Sequence, residues 1–219
     1  MNKIFKSTWF KCITVLLLIM AIAGGLLAVL NDLLFVSPDE RASRAMKKIY
    51  GYTPEYQTVL DVDSDNDNLN DAIVYDFDGV NKGYINKIYA ISGQTDDLVF
   101  QTVGENGFKG GNITLWIKVV KRNNKYAIDK VILSGYTKQT LMSMLDSNFY
   151  KGFYLTDVTK EYNNGNLFTA KGDSKLLNPV SGATKSATAA SNAVNCVISY
   201  IGENYQWKLT WKKLQWMAL

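Results

Sequence analysis

The sequence predicts an α+β domain with a mainly antiparallel sheet and flanking helices, preceded by one N-terminal transmembrane helix. Three observations carry this prediction. An uncharged apolar run extends from Cys12 to Leu30. The middle of the chain is a series of short β-rich pieces broken by turn residues. The last strong element repeats its apolar residues at helical spacing.

The apolar run, CITVLLLIMAIAGGLLAVL, is nineteen residues long, enough to cross a bilayer core of about 30 Å. Lys3, Lys6 and Lys11 precede it, while Asp32, Asp39 and Glu40 follow. The positive-inside bias then puts the N-terminus in the cytoplasm and everything after Asn31 outside, in the cell membrane as a single-pass protein. A cleaved signal peptide is the competing reading, because Ala21-Ile22-Ala23 resembles a cleavage site. The apolar sequence continues past that point, which favours a retained anchor. The expected organisation is an anchor over 1–31, an extracytoplasmic domain over 32–202, and a Trp- and Lys-rich tail over 203–219.

Ser37-Pro38-Asp39-Glu40 reads as a helix start, with Ser as cap, Pro in the first turn and Glu three residues after the cap. That helix is expected to reach Tyr50 and stop at Gly51. From Gln57 to Val103 the pieces AIVYDF, GYINKIYAI and DLVFQTV read as strands. Strands are also expected over Ile113 to Val120 and Ala127 to Leu133, joined by the turn-like Arg122-Asn123-Asn124-Lys125. A helix fits Lys138 to Asp146. The last helix starts at Ala183, where Ala187, Ala190, Val194, Val197, Ile198 and Ile201 share one apolar face, and Gly202 can end it.

Composition narrows the chemistry. There is no histidine, which excludes Ser-His-Asp catalysis, imidazole metal sites and haem held by His. With only Cys12 and Cys196, the chain cannot alone hold a four-Cys iron–sulfur cluster. A net charge of 24 − 20 = +4 is too small to argue for nucleic acid. Redox work would therefore need a cofactor held by other means.

Asn178-Pro179-Val180-Ser181-Gly182-Ala183-Thr184 leads directly into the last helix. Here the chain resembles the FMN-binding domain of the G subunit of Rnf complexes and the C subunit of sodium-pumping quinone reductases. Their motif reads Asp-x-x-Ser/Thr-Gly-Ala-Thr, and its final Thr is esterified to FMN phosphate by a dedicated flavin transferase. The resemblance extends over about Asn31 to Ile201. It includes the single N-terminal span, Gly107-Phe108-Lys109-Gly110-Gly111 in place of a Gly-Tyr-Gly-Gly-like turn, and Phe149-Tyr150-Lys151-Gly152-Phe153 in place of a Phe-containing segment. It implies covalent FMN on Thr184, with Ser181, Gly182, Ala183, Lys185, Ser186, Gly110 and Gly111 around it. Physical chemistry agrees: small residues leave the hydroxyl reachable, and the positive end of a helix favours a phosphate. The bland alternative is a Ser cap with small residues at a helix start. Two departures stand out. The motif's leading Asp is Asn178, and the family's Glu-Thr-Pro-Gly loop is missing, with Gln139-Thr140-Leu141-Met142 nearby.

Asp61, Asp63, Asp65 and Asp67 have the one-three-five-seven spacing of a calcium loop. Asn66 stands where Gly is needed and Ala72 where a bidentate Glu is needed, so a solvated acidic loop is the simpler reading and no metal is expected. In the tail, Trp207, Trp211 and Leu214 could share a helical face beside Lys208, Lys212 and Lys213, suited to a membrane surface, a partner groove or packing on the domain itself. Cys196 reads as a packed thiol.

The functional expectation is an electron-transfer subunit carrying covalent FMN in a membrane-bound, ion-translocating oxidoreductase, with other membrane subunits and a flavin transferase as partners. No side chain need act as acid, base or nucleophile, because the flavin supplies the chemistry. The alternatives are a free-standing flavinylated protein of extracellular electron transfer, and a non-redox calcium-dependent surface-binding module.

Overall fold

In a computed structural model the structure describes residues 8–61, 72–94, 96–172 and 174–217, with 206–217 as backbone. Two compact units are distinguished, Met1–Arg44 and Ala45–Leu219. The first holds α1 (Thr8–Leu34), whose stretch Thr8–Asn31 is long and apolar enough to cross a membrane. It also holds the start of α2 (Pro38–Tyr50). The expected cap is present: the Glu40 backbone N–H donates to Ser37 Oγ at 3.1 Å. α2 ends as expected, with Gly51 at φ +83.

The second unit is built on one antiparallel sheet. Its strands are β1 (Tyr56–Asp61), β2 (Ile73–Asp76), β3 (Lys82–Ile91), β4 (Leu98–Gly104), β5 (Ile113–Arg122) and β6 (Lys125–Tyr136). They run in the order β1-β3-β4-β5-β6, with β2 pairing the other end of β3. Each β-rich piece of the sequence is therefore a strand. The β5–β6 hairpin turns on Asn123 and Asn124, both at positive φ (51° and 60°), the geometry that a two-residue hairpin needs and that Asn tolerates. Alternation then sorts the two faces. Ile85, Phe100, Leu115 and Ile117 point into the main core, and Phe100 sits opposite Ile117 in register. Tyr89, Val99 and Trp116 are buried on the other face. There Lys118 Nζ lies 4.3 Å from the Tyr50 ring and 3.2 Å from an Asp129 carboxylate oxygen. Lys130 donates to the carbonyls of Lys48 and Ile49, tying the end of α2 to this face.

Between β6 and the last helix come α3 (Ser147–Lys151), α4 (Val158–Asn163) and a short parallel pair, β7 (Phe168–Thr169) and β8 (Leu176–Leu177). The helix expected over Lys138 to Asp146 does not form. Lys138 takes a left-handed φ of 55, Gln139 turns inward, and only a short 3-10 turn occupies Met142–Met144. Asp146, expected at that helix's end, instead caps the start of α3, accepting from the Asn148 and Phe149 N–H groups at 2.9 Å each.

α5 (Thr184–Met217) covers the inner face of the sheet. Ala187, Ala190, Val194, Val197, Ile198 and Ile201 are all fully buried, as the periodicity requires. Gly202 does not end the helix, and the expected boundary at 202/203 falls inside it. The glycine is there for space. A Cβ on it would sit 2.1 Å from a ring carbon of Tyr162, so α4 and α5 cross where only Gly fits. A helix-interior Gly costs about 1 kcal/mol, too little to stop a helix whose preceding turn, with Ile198 and Ile201, is buried.

Candidate functional site at the start of the last helix

The first turn of α5 is open. Ala183 N–H closes a tight turn onto the Val180 carbonyl at 3.2 Å, and Ala187 N–H makes the first helical bond, to Ala183 O at 2.9 Å. Among the described residues, no side chain accepts from the N–H groups of Thr184, Lys185 or Ser186. The Ser181 hydroxyl does not cap the helix, so the bland reading of the motif as a Ser cap is not what the chain builds. Gly182 lies at φ +79, a conformation costly for any residue with a Cβ, and it points that missing Cβ toward Met144 Sδ at 3.5 Å. Ala183 is buried, Ser181, Gly182 and Lys185 are exposed, and Thr184 is half-buried. No described residue bonds the Thr184 hydroxyl, so it is free to react.

Two segments distant in sequence are tied to this turn, and a third is tied to Asn178, in the stretch that leads into it. The first is the Gly107–Gly111 turn, closed by Gly107 N–H to Gly111 O at 2.9 Å. The second is Gln139. Its Oε1 accepts from Ser186 Oγ at 2.7 Å and from the Phe108 N–H at 3.1 Å, and its Nε2 donates to Thr137 O at 3.0 Å. Gly107 and Gly111 have no room for a Cβ: on Gly107 it would sit 2.4 Å from Gln139 Nε2, and on Gly111 2.0 Å from the Thr137 carbonyl oxygen and 2.7 Å from Gln139 Nε2. Gly110, at φ +68, stays exposed beside Lys109. Lys109, Lys138 and Lys185 are exposed and adjoin in sequence the bonded trio Phe108, Gln139 and Ser186.

The third segment is Phe149–Phe153. Asn178 Nδ2 donates to the Phe149 carbonyl at 3.0 Å, and a Cβ on Gly152 would meet Asn178 at 2.6 Å. The aromatic rings of this segment anchor it, with Phe153 lying 5.0 Å from Phe149 and 4.9 Å from Phe168. Asn178 thus has a task that an ionised Asp could not perform, since a carboxylate has no proton to give a carbonyl. Asn178→Asp should destabilise the domain by about 1–3 kcal/mol at neutral pH. Thermal melts check this: a melting temperature equal to wild type would mean the bond carries no weight.

Of the expected residues, Ser181, Gly182, Ala183, Thr184, Lys185 and Ser186 are consecutive in the chain, and Ser186 is joined through Gln139 to Phe108, in the turn that holds Gly110 and Gly111. Sequence reading did not anticipate Gln139 as the link. The only signal was a polar residue where the family's Glu-Thr-Pro-Gly loop would stand. Of the acidic run, Asp61 ends β1, while Asp63, Asp65 and Asp67 lie outside the described residues. So do the tail's Trp and Lys side chains. Cys196 is a packed thiol as expected; burial pushes it well above the ordinary thiol range, and it donates to Asn192 O. No protein-family model matches this chain, and no curated protein matches it.

Proposed function

We propose that this protein is a membrane-anchored electron carrier with FMN esterified to Thr184, working as a subunit of an ion-translocating oxidoreductase with other membrane subunits around it. The observation that carries the reading is the Thr184 hydroxyl, without a described partner, in an uncapped helical turn tied through Ser186 and Gln139 to Phe108 of the Gly107–Gly111 turn. Unpaired N–H groups and the helix dipole favour a phosphate there, and exposed Lys185 adds charge. Met144 is exposed against Gly182, with exposed Leu141 a turn before it, and the two offer apolar surface to a flavin ring. Bound FMN supplies stepwise one-electron transfer.

Attachment balances as a phosphoryl transfer. The Thr184 oxygen forms a bond to the FMN phosphorus of a flavin–adenine dinucleotide, the pyrophosphate bond breaks, AMP leaves, and the hydroxyl proton passes to water. The chain's own part is to present the hydroxyl and bind the phosphate, while a transferase supplies the catalytic groups. Co-expression with a flavin transferase should give a band that stays yellow and fluorescent in a denaturing gel; a colourless band would sink the reading.

The same reading puts Ala45–Leu219 outside the cytoplasm, supported by Lys3, Lys6 and Lys11 before the span and Asp32, Asp39 and Glu40 after it. External protease on cells with a permeabilised outer envelope but intact inner membrane should digest the domain. Protection until that membrane is lysed would reverse the topology.

A further inference from the structure

We infer that Gln139 is a positioning residue, a neutral lock that assembles the attachment site before any flavin arrives. The inference deepens the flavin reading and rests on it. Gln139 is 8% exposed and, among the described residues, is the one side chain that bonds both the Gly107–Gly111 turn and the first turn of α5, while holding the Thr137 carbonyl just after β6. Its oxygen takes two donors while its nitrogen gives one. Only an uncharged group with an acceptor and a donor on one carbon satisfies all three partners. A Cβ at Gly107 or Gly111 would sit 2.4 or 2.7 Å from its Nε2, so the glycines leave space for the amide.

The consequence is chemical. Ser186 lies two residues beyond Thr184 in the same helical turn. Fixing its hydroxyl to Gln139 sets where the turn sits relative to Lys109, Lys138 and the Gly110 backbone. Without the lock, the first turn of a helix lacking a side-chain cap is free to fray. The Thr184 oxygen would then sample many positions, and misplacement by about 1 Å can cost 10²-fold in a positioned transfer. Gln139 touches neither the reacting oxygen nor the phosphorus. It acts through Ser186 and Phe108.

Substitution by glutamate separates positioning from bulk. In Gln139→Glu, the ionised carboxylate would still accept from Ser186 and Phe108 but would press a charge against the Thr137 carbonyl. The protonated carboxyl has the same acceptor and donor as the amide. Burial raises a carboxyl pKa, so the protonated form should return as pH falls through that raised value and vanish above it.

The experiment uses the full chain in detergent micelles, as wild type, Gln139→Ala and Gln139→Glu, with flavin transferase and flavin–adenine dinucleotide. Three quantities are read: the initial flavinylation rate from in-gel fluorescence, the melting temperature, and exchange of the Phe108 amide. Gln139→Ala should remain folded at 25 °C, lose at least about tenfold in flavinylation rate, and exchange the Phe108 amide faster. Gln139→Glu should be slow at pH 8 and regain the rate and the amide protection toward pH 5, each rate divided by that of wild type at the same pH. Wild-type rates and unchanged Phe108 exchange in Gln139→Ala would overturn the lock. So would Gln139→Glu with no pH dependence beyond that of wild type. Should wild type take no flavin at all, the functional reading fails and takes the positioning role with it. Phe108 exchange would still report whether the three-way bond exists.

Discussion

Thr184→Ala should lose all covalent flavin while its melting temperature stays within about 1 °C of the unmodified wild-type polypeptide, a shift of a few tenths of a kcal/mol. The two halves of this expectation have separate causes. The proposed ester is made by the Thr184 hydroxyl alone, so its loss should be total rather than partial. No described residue bonds that hydroxyl, and Thr184 is half-buried at a helix start, so its removal opens no cavity and orphans no partner. Thr184→Ser keeps the oxygen and should keep detectable flavin. In-gel fluorescence of the three proteins, beside their melting curves, checks both halves. A Thr184→Ala protein that is still fluorescent would place the flavin elsewhere.

Gly104→Val should be the most destabilising single change in the domain's core. A Cβ at Gly104 would lie 1.8 Å from the Ala189 carbonyl oxygen and 2.5 Å from the Ala193 nitrogen. Both are backbone atoms of α5, so no rotamer change can relieve the clash and the helix itself must lift from β4. Gly83 faces the same helix, with Cys196 Sγ at 2.6 Å from its missing Cβ. The seam is thus built from glycines on the sheet and small residues on the helix, and it brings two backbones into direct contact. Overpacking a core costs about 1–3 kcal/mol and occasionally more, and a rigid backbone neighbour argues for the top of that range or above. For a domain of this size that corresponds to roughly 6–12 °C in melting temperature. Gly104→Ala should show a smaller loss of the same sign. A wild-type melting curve for Gly104→Val would mean that α5 does not lie on β4 as described.

The parts of this fold that were legible in sequence are those where a short-range pattern carries the physics. Alternation marked the strands, because each has a face on the core. Ser37 and Glu40 marked the start of α2, because a cap is a local bond. The apolar face of α5 marked the helix, because six residues at helical spacing must be buried together.

What was not legible depends on partners far away in sequence. Gly202 looks like a stop until Tyr162 is known to lie against it. Lys138 to Asp146 looks helical until Gln139 is known to be held by Ser186, 47 positions on, which turns the segment inward and leaves Asp146 free to cap α3. The site shows the same division. The run into α5 was legible as a helix start, but nothing local indicated that Gln139 would join Gly107–Gly111 to its first turn, or that Asn178 would be held by the Phe149 carbonyl. The Asn at position 178 has a structural reason of its own, the proton that it gives to the Phe149 carbonyl.

One flavin on one threonine is a statement about mass. Mass spectrometry of the protein isolated from its native cells tests it most directly, first on the intact chain and then on the peptide containing Ser181-Gly182-Ala183-Thr184. The expected intact mass is that of the polypeptide plus one FMN less one water, with the whole added mass on Thr184. An intact mass equal to the bare polypeptide, or the added mass on another residue, would contradict it.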